Sequence, residues 1–216
     1  MKSINIEEKI LKRNEKNVNL IKNLLEKHNV YMVNILGSPG AGKTTILKKI
    51  INKLNLRFNI AVIEGDLYTT RDAERLESNQ VEVVQINTGG TCHLEAAMIK
   101  EAINQIPLEQ VDLLLIENVG NLVCTASYEL GEDLKITVLS VPEGSDKLLK
   151  YPAIFQKAGA IVINKIDLIA YTDFSMTDVK SDLEQINRGV RIFKLSCTTE
   201  KGIDKLCTYL EERLNG

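Results

Sequence analysis

The 216 residues carry a net charge of −2, with 27 Lys and Arg against 29 Asp and Glu; 44% are hydrophobic and 26% charged. That balance excludes a disordered chain and suits one globular α/β domain large enough to bury a core. No basic run falls on a predicted helix, which argues against nucleic acid, and no apolar run approaches the ~18 residues of a membrane-spanning helix. Met1–Ile10 carries Glu7 and Glu8 and has no apolar stretch, so it does not read as a signal peptide. The four cysteines suggest thiols or metal ligands before disulfides, and the expected compartment is the cytoplasm.

Ile6–His28 sets Ile10, Leu11, Val18, Ile21, Leu24 and Leu25 at near-helical spacing. It reads as an amphipathic helix packed on the same domain or on a partner, and residues 1–28 are set apart from residues 29–216 on that basis. Val30–Leu36 is a strand-like apolar run, and Lys43–Leu54 places Ile46, Leu47, Ile50 and Leu54 on one helical face. Between them stands Gly37-Ser38-Pro39-Gly40-Ala41-Gly42-Lys43-Thr44, a complete G-x-x-x-x-G-K-[ST] loop, with Thr45 next in line. Backbone N–H groups and a helix dipole converge on such a turn, so it binds phosphate. Gly40 and Gly42 let the chain curl around the anion. Lys43 is placed to reach the β- and γ-phosphates, and the Thr44 hydroxyl to ligate Mg²⁺.

Strands and helices then alternate. Strand Ile60–Glu64 leads to a helix near Asp72–Ser78, strand Val81–Ile86 to helix Leu94–Asn104, and strand Val111–Glu117 precedes strand Lys135–Val141. After helix Ser145–Lys157 come strand Ala160–Ile163, helix Thr177–Ile186, strand Val190–Leu195 and helix Ile203–Arg213. The pattern predicts a three-layer α/β/α P-loop NTPase, its mostly parallel sheet covered by helices on both faces. Ligands of such sheets lie beyond the carboxyl ends of the strands, where each motif below is found.

Asn164-Lys165-Ile166-Asp167 follows one such end and has the N-K-x-D form that reads guanine. The Asp167 carboxylate can accept from N1–H and the 2-amino group; adenine has neither donor and would leave the anion unpaired. Asn164 is expected on the opposite edge of the base and the Lys165 stem over its face. Ser196-Cys197, past the Val190–Leu195 strand, can bring a backbone N–H to the guanine O6. Glu64-Gly65-Asp66 and Glu117-Asn118-Val119-Gly120 close two further strands. Asp66 and Glu117 are the candidates to hold Mg²⁺ with Thr44 or to position the attacking water, with Lys43 completing the catalytic set; N-capping by Asp66 is the plainer alternative. Gly120 frees the chain to rotate toward the phosphate. Hydrolysis of GTP is expected rather than transfer to an acceptor.

Cys92-His93 opens the Leu94–Asn104 helix, and Cys124 lies downstream of Glu117. Two thiolates and an imidazole make a soft-metal set for nickel, zinc or copper(I), while small buried thiols are the other reading. Movement of Glu117–Gly120 on loss of the γ-phosphate would drag Cys124. One chain supplies three ligands, and a twofold-related copy would supply the rest. Cys207 reads as a core residue.

Gly37–Thr44, Glu64-Gly65-Asp66, Asp72-Ala73-Glu74-Arg75, Asn87-Thr88-Gly89, Cys92-His93-Leu94-Glu95-Ala96, Glu117–Cys124, Glu143-Gly144-Ser145-Asp146-Lys147 and Asn164–Asp167 together resemble the HypB family of hydrogenase nickel-incorporation GTPases. The resemblance implies a SIMIBI-type G domain that forms a homodimer with GTP, binds nickel or zinc through Cys92, His93 and Cys124 at the dimer interface, and assists nickel loading of [NiFe]-hydrogenase. It further implies the HypA-type nickel accessory protein and the hydrogenase large subunit as partners. Delivery to another enzyme such as urease, or passive carriage of metal, are the alternatives. Departures from the family pattern are Gly90 where many members have Lys, Thr125 where Pro is usual, and Ala97 where some have a second His.

Overall fold

The computed structural model describes residues 6–66 and 81–216. The helix expected near Asp72–Ser78, the Asp72–Arg75 motif and the side chain of Asp66 lie outside the described residues. Seven strands form one sheet: β1 (Tyr31–Gly37), β2 (Ile60–Asp66), β3 (Glu82–Asn87), β4 (Leu113–Glu117), β5 (Leu134–Ser140), β6 (Ala160–Asn164) and β7 (Arg191–Lys194). Their order is β3-β2-β4-β1-β5-β6-β7 and every pairing is parallel. The all-buried sequences Leu-Leu-Leu-Ile-Glu of β4 and Ala-Ile-Val-Ile-Asn of β6 reflect this, since a parallel sheet has both faces covered.

The helices are α1 (Ile6–His28), α2 (Lys43–Leu54), α3 (Ala96–Ile103), α4 (Cys124–Ser127), α5 (Lys147–Lys150), α6 (Pro152–Gln156), α7 (Met176–Ile186) and α8 (Ile203–Leu214). On one face Ile46, Leu47 and Ile50 of α2 and Leu206 and Leu210 of α8 pack on Val33, Val62 and Leu115. Lys49–Glu200, Lys53–Asp204 and Arg57–Glu211 ion pairs run beside this contact at the surface, where each contributes little. On the other face Val18, Ile21 and Leu25 of α1 join Ile99 and Ile103 of α3 over Met32, Ile63 and Leu114. Next to them Phe155, Val179 and Leu183 cover Leu36, Leu139 and Ile161.

Two expectations change. Ser145–Lys157 is two short helices, because Tyr151 before Pro152 takes φ −131° and ψ 55° and cannot continue a helix. The run after β4 contains the one-turn helix α4, held by an Asn121 side chain that no apolar periodicity announces.

Candidate nucleotide and metal sites

The turn from β1 into α2 is left-handed at Gly40 (φ 76°) and Gly42 (φ 98°), conformations that strain other residues. A Cβ on Gly42 would stand 2.4 Å from the Asn164 side chain, so the glycine also lets β6 approach the loop. The Lys43 ammonium lies back over its own loop, donating to the carbonyls of Gly37 (3.3 Å) and Ser38 (3.2 Å). The Thr44 hydroxyl donates to Glu117 Oε1 at 2.7 Å. A cleft of about 570 Å³ opens here, lined by Pro39, Gly40, Gly42, Lys43, Thr44, Thr45, Glu117 and Lys165. Lys48, Glu64, Gly65 and Asn118–Gly120 also line it.

Lys48 belongs to none of the sequence motifs, and Glu64 enters them only as the residue before Gly65 and Asp66. Glu64 is paired in register with Glu117 on the neighbouring strand, and both carboxylates are buried. Register between strands set by residues some fifty positions apart is invisible in a linear motif. Lys48 follows Thr44 by one helical turn, a spacing that would have found it. Asp66 ends β2 two residues past Glu64. The hard-oxygen pair of Thr44 and Glu117 at the head of the cleft, with Glu64 alongside, fits the oxygen preference of Mg²⁺.

The base-reading residues fall behind and beside this cleft. Asn164 is fully buried: Nδ2 donates to Ala41 O (2.9 Å), and Oδ1 accepts from Lys165 N (2.7 Å) and, at 3.8 Å, from the Cys197 thiol. Asn164 is expected at one edge of the base, and its bonds within the protein tie the base loop to the phosphate loop. Lys165, left-handed at φ 59°, spans the same gap and donates from Nζ to Gly40 O at 2.7 Å. Asp167 lines a separate hollow with Thr199 and Lys201. Ser196 is buried, its N–H on Lys201 O and its hydroxyl accepting from Thr199 N, so it shapes the loop that carries Cys197. Burial pushes the Cys197 thiol up to about 11, keeping it a neutral donor.

The thiol expectation concerns residues distant in sequence that the fold brings together. Cys92 Sγ lies 2.7 Å from Cys124 Sγ and 3.7 Å from His93 Nδ1, and the three donor atoms fall within 4.8 Å of one another. All four cysteines are free thiols, and Cys207 is buried in the core. The His93 ring stacks on Tyr128 at 3.9 Å, and its Nε2 stands 3.6 Å from Glu95 Oε1. The hydrogen bond with Cys92, then burial, raise the Cys124 thiol above its ordinary value. Two soft sulfurs and an imidazole fit a soft or borderline divalent ion, one donor short of a four-coordinate set.

The segment between the sites is short and tightly held. Asn121 pairs with Gly37 of the phosphate loop, and its Oδ1 accepts from the N–H groups of Val123 (2.7 Å) and Cys124 (2.9 Å). Gly120 sits against Pro39, where a Cβ would come within 2.9 Å. Gly65, at the cleft, packs on Leu94 beside His93 in the same way.

A family model described as CobW/HypB/UreG, nucleotide-binding domain, matches residues 31–194. The Helicobacter hepaticus protein named hydrogenase/urease maturation factor HypB is 44% identical over 216 residues, covering 98% of this chain and 88% of that protein. A Methanocaldococcus jannaschii protein named probable hydrogenase maturation factor HypB is 39% identical over 209 residues, 97% of this chain and 95% of that one. The crystal structure of HypB from Helicobacter pylori in complex with nickel superposes with a TM-score of 0.90 at 40% identity, covering 94% of this chain and 95% of that one.

Proposed function

This chain belongs to the HypB members of the CobW/HypB/UreG family of nucleotide-binding proteins, and from that premise we propose that it is a GTP-hydrolysing metallochaperone whose nucleotide state sets its hold on nickel. One observation carries the proposal. The segment leaving β4 bears Glu117, bonded to Thr44 of the phosphate loop, at one end and Cys124, beside Cys92, at the other.

Residues 29–216 form the GTPase domain, with the helix Ile6–His28 laid on it. The nucleotide phosphates take the loop N–H groups of Gly37–Thr45, and Lys43 turns from its own carbonyls to the β- and γ-oxygens. Asp167 selects guanine; Lys165, Ser196 and Cys197 shape the base pocket, and Asn164 holds that pocket to the phosphates. Thr44, Glu117 and Asp66 would hold Mg²⁺, which would supply positive charge opposite the transferred phosphoryl group. Glu117 and Asp66 also orient the attacking water. When the γ-phosphate leaves, Glu117–Gly120 shifts and Asn121 carries Cys124 with it. Cys92, His93 and Cys124 bind nickel as cargo, with zinc as a competitor of similar ligand taste. A homodimer formed with GTP brings a second donor set.

The names of the relatives point to hydrogenase as recipient, and that of the Helicobacter hepaticus protein adds urease. Maturation assays on each apo-enzyme, with a HypA-type accessory protein present, separate the two. Binding free energies of metal and nucleotide must influence each other equally. Ni²⁺ titrations with GDP and with a non-hydrolysable GTP analogue are expected to differ by about fivefold or more. Identical constants would remove the coupling, and nickel delivery that survives Lys43→Ala would leave a passive carrier.

A further inference from the structure

The sequence leaves open whether the N-terminal helix is more than a cover for the sheet. One residue of α1 breaks its apolar stripe: Asn14 is buried, at 7% exposure, one helical turn before Val18. A buried carboxamide is retained only where its donors and acceptors are met. Here they are met by the two segments that carry the metal donors. Asn14 Oδ1 accepts from Ala96 N at 2.8 Å, at the start of α3 and three residues past His93. Asn14 Nδ2 donates to Glu129 O at 2.7 Å, next to Tyr128, whose ring stacks on His93, and five residues past Cys124. The Glu129 carboxylate is itself anchored by Lys135, whose Nζ lies 2.5 Å away.

We infer that Asn14 is a positioning residue for the metal donors, stapling the Cys92–Ala96 loop to the Cys124–Glu129 segment from behind. The inference rests on the reading of Cys92, His93 and Cys124 as nickel ligands. Only a group that donates at one end and accepts at the other can bridge an N–H and a carbonyl. Asp at this position keeps the size and the acceptor but turns an anion on the Glu129 carbonyl. Leu keeps the bulk, leaves the buried Ala96 N–H without this acceptor and releases the Glu129 carbonyl. With the staple open, the thiol contact and the His93–Tyr128 stack are left to hold the two segments together, and the donors lose their fixed spacing.

The test has two readouts on Asn14→Asp, with Asn14→Ser as the milder variant if the first fails to fold. In metal-free protein, diamide takes two electrons and two protons from Cys92 and Cys124 as the S–S bond forms, and peptide mapping identifies the linked pair. Ni²⁺ affinity is read from the thiolate-to-metal charge-transfer band. The expected result is disulfide formation slowed about tenfold and Ni²⁺ affinity lowered about tenfold, the lower end of the loss seen when groups that orient metal ligands are removed. Affinity for a fluorescent guanine nucleotide and far-ultraviolet circular dichroism stay as in the parent. Parental disulfide rates in both variants, or a parallel loss of nucleotide affinity, overturn the inference. Absence of Ni²⁺ binding by the parent protein refutes the metal reading instead, and the diamide rates then still decide the role of Asn14.

Discussion

Just before β5, Asp133 accepts a hydrogen bond from Met32 N at 2.7 Å and returns its own N–H to Met32 O at 2.9 Å, locking β1 beside β5. Burial raises its carboxyl above the ordinary value, with the Met32 N–H pulling the other way more weakly. The folded state therefore holds this proton more tightly than the unfolded chain. Its contribution is fully present below the ordinary value of 3.8 and is lost as pH rises through the folded value. Asp133→Asn keeps an acceptor for Met32 N and has no charge to bury. Urea midpoints measured across pH should show the variant gaining on the parent as pH rises through this range, and parallel profiles would refute it. Asn34 is a second buried polar device: it accepts from Asn118 Nδ2 at 3.2 Å and donates to Glu132 Oε1 at 2.9 Å in the middle of β1. Asn34→Leu strands both partners, and denaturant unfolding should register a loss of about 2 kcal/mol or more. The motifs Gly37–Thr44 and Asn164–Asp167 are visible in the sequence because each is contiguous, while the bond of Asn164 to Ala41 is not. Nor are the roles of Asn14, Asn34 and Glu64, since each derives its meaning from a strand or helix far away in the chain.

Among elements, the linker from β4 to α4 matters most. Its close seat on Pro39 needs Gly120, and a methyl there meets Pro39 backbone at 2.9 Å. Gly120→Ala should push the linker off the phosphate loop. GTP turnover is expected to fall by at least about tenfold, as small misplacements at a reacting centre do. Ni²⁺ affinity of the nucleotide-free protein should hold, while its dependence on nucleotide shrinks; steady-state phosphate release and metal titration measure the pair. The strands were readable from their apolar runs, most plainly β4, β5 and β6, where burial on both faces leaves little polar noise. Short helices were harder. The Pro152 break divided an apparently continuous helix, and α4 owes its existence to the Asn121 side chain rather than to a stripe.

For the whole molecule, the incomplete donor set and the exposure of Val123 (60%) beside Cys124 make a twofold contact at this corner the expected assembly. Sedimentation velocity should show a dimer with GTP analogue and Ni²⁺ that Val123→Asp weakens without altering nucleotide affinity. A dimer insensitive to that change would place the contact elsewhere. The strand order carries a different consequence. β1 lies in the middle of the sheet, its two neighbours being β4, where Tyr31 meets Leu113, and β5, where Val33 meets Leu134. The nascent chain thus exposes β1, buried at six of its seven positions, before either of the strands that flank it has been made. A truncated product ending before β4 would present that bare strand to the cell, a ready substrate for chaperones and a seed for aggregation.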